Sequence, residues 1–131
     1  MSLDWKIDSK AKLVTVVADG PVTRQDVERC LDAVRGANAS GYRKLLDCRK
    51  LVMEIDEHEV LMLGGRVRER HAARMGPLAV VLPSAPPEVL SRLLGIFAMA
   101  DRPMRLFDSA LKARRWLDQV SSEPGQDPPA G

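Results

Sequence analysis

The chain opens on two apolar runs separated by a polar turn. Leu3 to Ile7 alternates apolar and polar positions, Asp8, Ser9 and Lys10 follow, and Leu13 to Ala18 resumes the apolar pattern, which predicts a β-hairpin. The second run, Leu-Val-Thr-Val-Val-Ala, is almost continuously apolar and β-branched, as befits a strand covered on both faces. Gly20 and Pro21 are expected to end it. Thr23 and Asp26 then stand in the N-cap and N3 relation of a capping box, with Val22 and Val27 placed as a hydrophobic staple. In the helix they open, Val27, Cys30, Leu31 and Val34 share one face, while Arg24, Glu28, Arg29, Asp32 and Arg35 face away, until Gly36. This face makes Cys30 a small core residue rather than a reactive thiol.

The pattern then repeats. Lys44-Leu45-Leu46-Asp47 predicts a third strand with an aspartate at its carboxyl end. Asp56 and Glu59, bracketed by Ile55 and Val60, open a helix expected to run to Met75, with close packing or a kink at Gly64-Gly65. Leu78 to Leu82 predicts a buried strand, and Ser84, Pro86 and Pro87 announce a helix reaching Ala100. Met104 to Phe107 is the last strand, and Asp108 is the expected cap of a final helix lined by Ala110, Ala113, Leu117 and Val120. The elements run β-β-α-β-α-β-α-β-α, which predicts one α/β domain over residues 1–120. It would hold a mostly parallel five-stranded sheet with an N-terminal hairpin, right-handed crossovers and four helices. Residues 121–131, rich in Pro and Gly, are expected to form a disordered tail.

That order resembles the STAS superfamily over residues 3–120, and in particular its SpoIIAA-like branch, related in shape to lipid-carrying CRAL-TRIO domains. Three stretches carry the resemblance: the Trp5 hairpin leading to Gly20, the strand Leu45-Leu46-Asp47 before a long helix, and Met104-Arg105-Leu106-Phe107 through Ala110 to Trp116-Leu117. In anti-sigma-factor antagonists the resemblance implies a serine or threonine, phosphorylated by a partner kinase, at the amino end of the helix after the third strand. The phosphate would add about two negative charges at a helix terminus and switch partner association. The corresponding stretch, Leu51-Val-Met-Glu-Ile-Asp-Glu-His-Glu59, contains no Ser, Thr or Tyr. Asp56, Glu57 and Glu59 make that helix start permanently negative instead, which suits ordinary capping and leaves open a fixed acidic docking surface.

Composition narrows the function. Twenty basic residues nearly balance 18 acidic ones for a net charge of +2, and only Trp5, Tyr42, Phe97, Phe107 and Trp116 are aromatic. Neither a basic footprint nor a stacking platform for nucleic acid is present, so nucleic-acid binding is not expected. No apolar stretch approaches the roughly 20 residues needed to span a bilayer, and the amino end lacks the pattern of a signal peptide. Two cysteines, Cys30 and Cys48, suggest free thiols in a reducing compartment, hence the cytoplasm. Cys30, Cys48, His58 and His71 are too widely spaced for a zinc site, and no P-loop, nucleophile elbow or dinucleotide fingerprint occurs, so neither a cofactor nor catalysis is expected.

The candidate functional residues are therefore interaction residues. Asp47 stands at the strand edge where α/β folds usually bind ligands, although a lone acid there more often hydrogen-bonds the neighbouring backbone. Asp56, Glu57 and His58 form the acidic helix start, His58 being a candidate pH-sensitive contact. Arg66, Arg70 and Arg74 recur at four-residue spacing as a basic stripe, with Arg68 nearby. The helix from Pro86 to Ala100 carries Val89, Leu90, Leu93, Leu94, Ile96, Phe97 and Met99, more apolar surface than one face holds. A neighbouring loop, a second subunit or an apolar ligand would cover the surplus, with Leu93, Ile96, Phe97 and Met99 as the candidate contacts in the two intermolecular cases. The leading expectation is a non-enzymatic, homodimeric interaction module. The alternative is a carrier or sensor of a small apolar or lipid-like ligand, which requires a continuous cavity lined by Leu93, Phe97 and strand residues.

Overall fold

The structure is a computed structural model, which describes residues 2–69, 75–98 and 103–120. Its elements are β1 (Leu3–Asp8), β2 (Leu13–Thr23), α1 (Arg24–Gly36), β3 (Arg43–Glu54), α2 (Glu57–Glu69), β4 (Leu78–Val81), α3 (Glu88–Ala98), β5 (Met104–Phe107) and α4 (Ala110–Gln119). The five strands lie side by side in chain order, β1 antiparallel to β2 and every later pair parallel. The fold class is the one the apolar pattern predicts.

Consecutive parallel crossovers that all step in one direction along a sheet, with one hand, place their helices on one face. Buried side chains of α1, α2 and α3 accordingly share a core with Val14, Val16, Ala18 and Cys48. Only α4, which follows the last strand, returns to the opposite face, where Ala113 and Leu117 pack on Leu13, Leu45, Ala79 and Val81. One short helix cannot cover five strands, so Val17 and Val52 on that face stay 41% and 52% exposed.

Both predicted capping boxes form. Asp26 N–H donates to Thr23 Oγ1 at 3.2 Å and Thr23 N–H to Asp26 Oδ2 at 3.0 Å. Glu59 N–H donates to Asp56 Oδ1 at 2.8 Å and Asp56 N–H to Glu59 Oε1 at 3.2 Å. Each pair satisfies two backbone donors at a helix start, and the flanking Val22, Val27, Ile55 and Val60 are buried as staples.

Several boundaries differ from the expected ones, each for a physical reason. Gly20 and Pro21 do not end β2, which continues to Thr23 along a β3 that extends to Glu54 rather than stopping at Asp47. β1 pairs with β2 only as far as Ala18. Beyond that point β2 has an open side on which a proline leaves no sheet partner unsatisfied, and Gly20 takes the positive φ of 99° that glycine tolerates. Pro86 does not start α3. A residue before proline is pushed out of the helical region, so α3 opens after Pro87, whose carbonyl accepts the Ser91 N–H at 3.3 Å. Asp108 does not cap α4: Ser109 does, its Oγ accepting from Lys112 N–H at 3.1 Å, while Asp108 pairs with the Lys112 ammonium. Met75 lies outside any helix, and the Arg70 to Arg74 segment, Ala100 and the 121–131 tail fall outside the described residues.

One close approach fixes the loop before β3. Gly76 N–H donates to Ser40 O at 2.9 Å, and a Cβ at Gly76 would overlap the carbonyls of Gly41 and Tyr42. Gly76→Ala is therefore expected to displace the Ser40–Tyr42 loop and to destabilise the domain by about 1–3 kcal/mol, the usual scale of overpacking. Urea denaturation of the variant beside the parent measures it.

Candidate functional site: an apolar cavity under three helices

A cavity of about 580 Å³ lies between the sheet and the helices α1, α2 and α3. Much of its wall is built from small and medium side chains. The inward positions of β2 are Val14, Val16, Ala18 and Val22, and those of α1 are Val27, Cys30, Leu31 and Val34, all small or medium. The aromatic content is 4%, and Phe97 is the one aromatic ring among the described residues on its wall.

A bulge in β3 keeps that wall apolar along its length. The register against β2 shifts between Val17 and Asp19, where β3 carries one extra residue, Val17 pairing with Asp47 but Asp19 with Lys50. Side chains alternate along a strand, and the inserted residue switches the parity, so Lys44, Leu46 and Cys48 before it and Leu51 and Met53 after it all line the cavity. Asp47 braces the bulge. Its Oδ1 accepts the Arg49 N–H at 3.1 Å, and its Oδ2 meets Arg49 Nη2 at 2.7 Å. The hydrogen bonds from the Arg49 side chain, more than any other influence, hold its carboxyl below the usual range. Asp47 is thus a mid-strand residue, not a strand-end one, turned to the face opposite the cavity and bonded to the neighbouring backbone.

The cavity floor is thiol-bearing. Burial pushes the Cys30 thiol up to about 11 and the Cys48 thiol up to about 12, partly offset at Cys30 by the nearby Lys44 ammonium. Both are therefore neutral and poorly nucleophilic at physiological pH.

The apolar surplus of α3 turns inward. Leu90, Leu93, Leu94 and Phe97 are buried and line the cavity. Ile96 packs over Gly64 of α2, where its Cδ1 lies 3.3 Å from the place a Cβ would occupy, so Gly64 serves close packing and Gly65, with open space around it, does not. Met99 lies outside the described residues. The exposed large apolar residues on α2 are Leu61 and Met62, 70% and 43% exposed, which the sequence pattern did not single out. Asp56, Glu57 and His58 are exposed at that start. Glu57 reaches Arg92 of α3 at 2.7 Å and Glu59 reaches Arg24 of α1 at 3.5 Å, so α2 is tied to both neighbours by surface ion pairs. Of the basic stripe, Arg66 pairs with Asp32 of α1 at 3.1 Å, and the side chains of Arg68, Arg70 and Arg74 are outside the description.

Polar groups gather at one end of the cavity. Lys44 stands near the amino end of β3, Arg35 near the carboxyl end of α1, Arg66 on the carboxyl-terminal half of α2, and Ser40 in the intervening loop. Arg35 is exposed and Arg66 and Ser40 are half-buried, which marks where the cavity meets solvent. Lys44 was not legible as a site residue, because Asp47 occupied the strand-end position that draws attention. Among the described residues no group of three or more His, Cys, Asp or Glu side chains could hold a metal ion, and no helix is long and apolar enough to cross a membrane.

This architecture, an N-terminal hairpin continuing into a parallel sheet with three helices on one face, is a SpoIIAA-like fold. An uncharacterized protein of the DUF3478 family from Shewanella loihica PV-4, described as having a SpoIIAA-like fold, matches it with a TM-score of 0.56 and 19% identity. The match covers 88% of this chain and 91% of that one. At that identity the likeness establishes the fold alone. No family model matches the sequence, and no curated protein matches it.

Proposed function

We propose that the protein is a non-enzymatic, cytoplasmic carrier or sensor that encloses a small apolar ligand between its sheet and helices α1 to α3. The observation that supports this reading is the continuous cavity of about 580 Å³ lined by Leu93, Phe97 and the inward residues of β2 and β3. That size lies within the roughly 300–1,000 Å³ of small-molecule sites. An apolar occupant would shield that wall from water.

The experiment is native mass spectrometry of the purified protein, followed by addition of a long-chain alcohol, beside a Cys48→Phe variant that fills the cavity floor. The reading expects a retained or acquired non-protein mass in the parent and none in the variant, with circular dichroism reporting that the variant is folded. A parent that neither carries nor takes up an apolar molecule would refute it.

A second reading, an interaction module that homodimerises or docks a partner protein, draws support from the exposed Leu61 and Met62 beside the acidic start of α2. Phe97, buried against the cavity, does not serve that reading. The same spectra measure it: a dimer that Leu61→Glu converts to monomer supports association through α2, and a monomeric parent contradicts the homodimer.

A further inference from the structure

We infer that the ligand is an anionic amphiphile, a single-chain carboxylate whose head is held by Lys44, Arg35 and Arg66 at the amino end of the sheet while its chain runs beneath α1 and α3. The inference rests on the carrier reading and adds the chemistry of the ligand and its direction.

Every charged side chain among the described residues of the cavity wall is cationic: Arg35, Lys44 and Arg66. Three separate elements supply them, yet all three stand at one end. Arg35 and Arg66 lie toward helix carboxyl ends, where cations complement the helix dipole without any ligand. That explanation does not reach Lys44, which sits on an inward position of a central strand and is only 8% exposed. A lysine in that position is uncommon, and it interrupts a wall that would be apolar with Leu or Val there. Its ammonium is held in place, donating to the carbonyls of Ser40 and Tyr42, and the same loop is clamped by Gly76. The cation is thus fixed at the boundary between the solvent-facing rim and the apolar interior. Arg66 engages Asp32 through one terminal nitrogen, which leaves further donors of its five-donor fork for a second anion.

The remainder of the wall is suited to a chain rather than a ring system. From Lys44 to Met53 the β3 wall extends roughly 30 Å at about 3.3 Å per residue. A methylene occupies about the space of a water molecule, roughly 30 Å³, so 580 Å³ holds on the order of 19 non-hydrogen atoms. A saturated carboxylate of about 16 to 18 carbons meets both limits. Charge-assisted hydrogen bonds to a carboxylate are roughly twice as strong as neutral ones, so the head sets direction and selectivity while the chain supplies affinity.

The test is calorimetric binding of dodecanoate, 1-dodecanol and dodecyl phosphate to the parent protein, to Lys44→Gln and to the double variant Arg35→Gln/Arg66→Gln. The parent is expected to bind dodecanoate at least about tenfold more tightly than the alcohol. Each variant is expected to reduce that preference to about threefold or less by weakening dodecanoate binding more than alcohol binding. The double variant alters only rim residues, so it retains its force if Lys44→Gln disturbs the loop. Equal affinity of the parent for acid and alcohol, or variants that keep the preference, would overturn the head-group assignment while leaving the carrier reading intact. A tenfold preference for dodecyl phosphate over dodecanoate would overturn the carboxylate. Failure of all three ligands to bind would instead overturn the carrier reading.

Discussion

Each methylene added to a straight-chain ligand is expected to tighten binding about fourfold, and the gain is expected to stop once the chain reaches about 16 to 18 carbons. The slope follows from transfer of a CH₂ group out of water, worth about 0.8 kcal/mol. The ceiling follows from a cavity volume of about 580 Å³, beyond which further carbons remain in solvent. Between chains of 8 and 14 carbons the affinity should therefore change by about three orders of magnitude, within one head-group class. Isothermal calorimetry across such a series measures both slope and plateau. A cleft on the surface would give a shallower slope with no ceiling, because a chain lying on a groove keeps part of each methylene in water. An affinity independent of chain length would contradict the pocket as the binding site.

The second large effect concerns alkaline pH. Cys30 and Cys48 hold their protons up to about pH 11 and about pH 12, against an ordinary thiol value of 9.0 that applies once the chain unfolds. Between pH 9 and 11 the unfolded chain thus binds fewer protons than the folded one, and stability must fall as pH rises. Each buried thiol approaches a loss of about 1.4 kcal/mol per pH unit in that window, so the pair removes about 3 kcal/mol between pH 9 and 10.5 and about 4 kcal/mol from pH 8. Below about pH 8 both thiols are largely protonated in both states and contribute little slope. The double variant Cys30→Ala/Cys48→Val, followed by urea denaturation at pH 8 and pH 10.5, is expected to lose about 4 kcal/mol less than the parent over that interval. An equal loss in parent and variant would mean that the thiols are not shielded from water and that the cavity floor is wet.

The order of elements was legible because local signals agreed with one another. Thr23 with Asp26, and Asp56 with Glu59, each mark a helix start by a chemistry that needs no tertiary contact. The opening hairpin was legible from its polar turn, in which Asp8 Oδ1 accepts the N–H groups of Lys10 and Ala11 at 3.0 Å. What the pattern hid was decided by neighbours distant in sequence. Pro21 looked like the end of β2, and only the shortness of β1 makes it tolerable inside a strand. Asp47 looked like a strand end, and only the bulge against β2 turns it into a brace.

The site was half legible for a related reason. The apolar excess on α3 is visible in the sequence, but its direction depends on where the other helices lie. A helix facing a partner subunit and a helix facing a cavity carry the same pattern. Leu93 and Phe97 proved to belong to the cavity, and a Phe97→Glu substitution would place a carboxylate inside it rather than on a surface. Two signals in the sequence did point to the pocket. One is the scarcity of aromatic residues among inward positions of a 131-residue α/β chain, and the other is alternation along β3, which puts Lys44 on the side of Leu46 and Cys48 and away from Leu45.

The stretch from Leu51 to Glu59 holds no Ser, Thr or Tyr, and Asp56, Glu57 and Glu59 make the start of α2 acidic. In our reading any variable input enters through the cavity, whose roof is α1, α2 and α3 and whose ion pairs Arg24–Glu59, Arg66–Asp32 and Arg92–Glu57 join those helices. The most direct measurement of that account is isotope-filtered NOE spectroscopy of the labelled protein with an unlabelled straight-chain carboxylate. The account predicts contacts from the terminal methyl of the ligand to Val22, Leu51 and Leu90, and from the methylene beside its head to Lys44. Contacts confined to Leu61, Met62 or Val52 would place the ligand on the outside and contradict it.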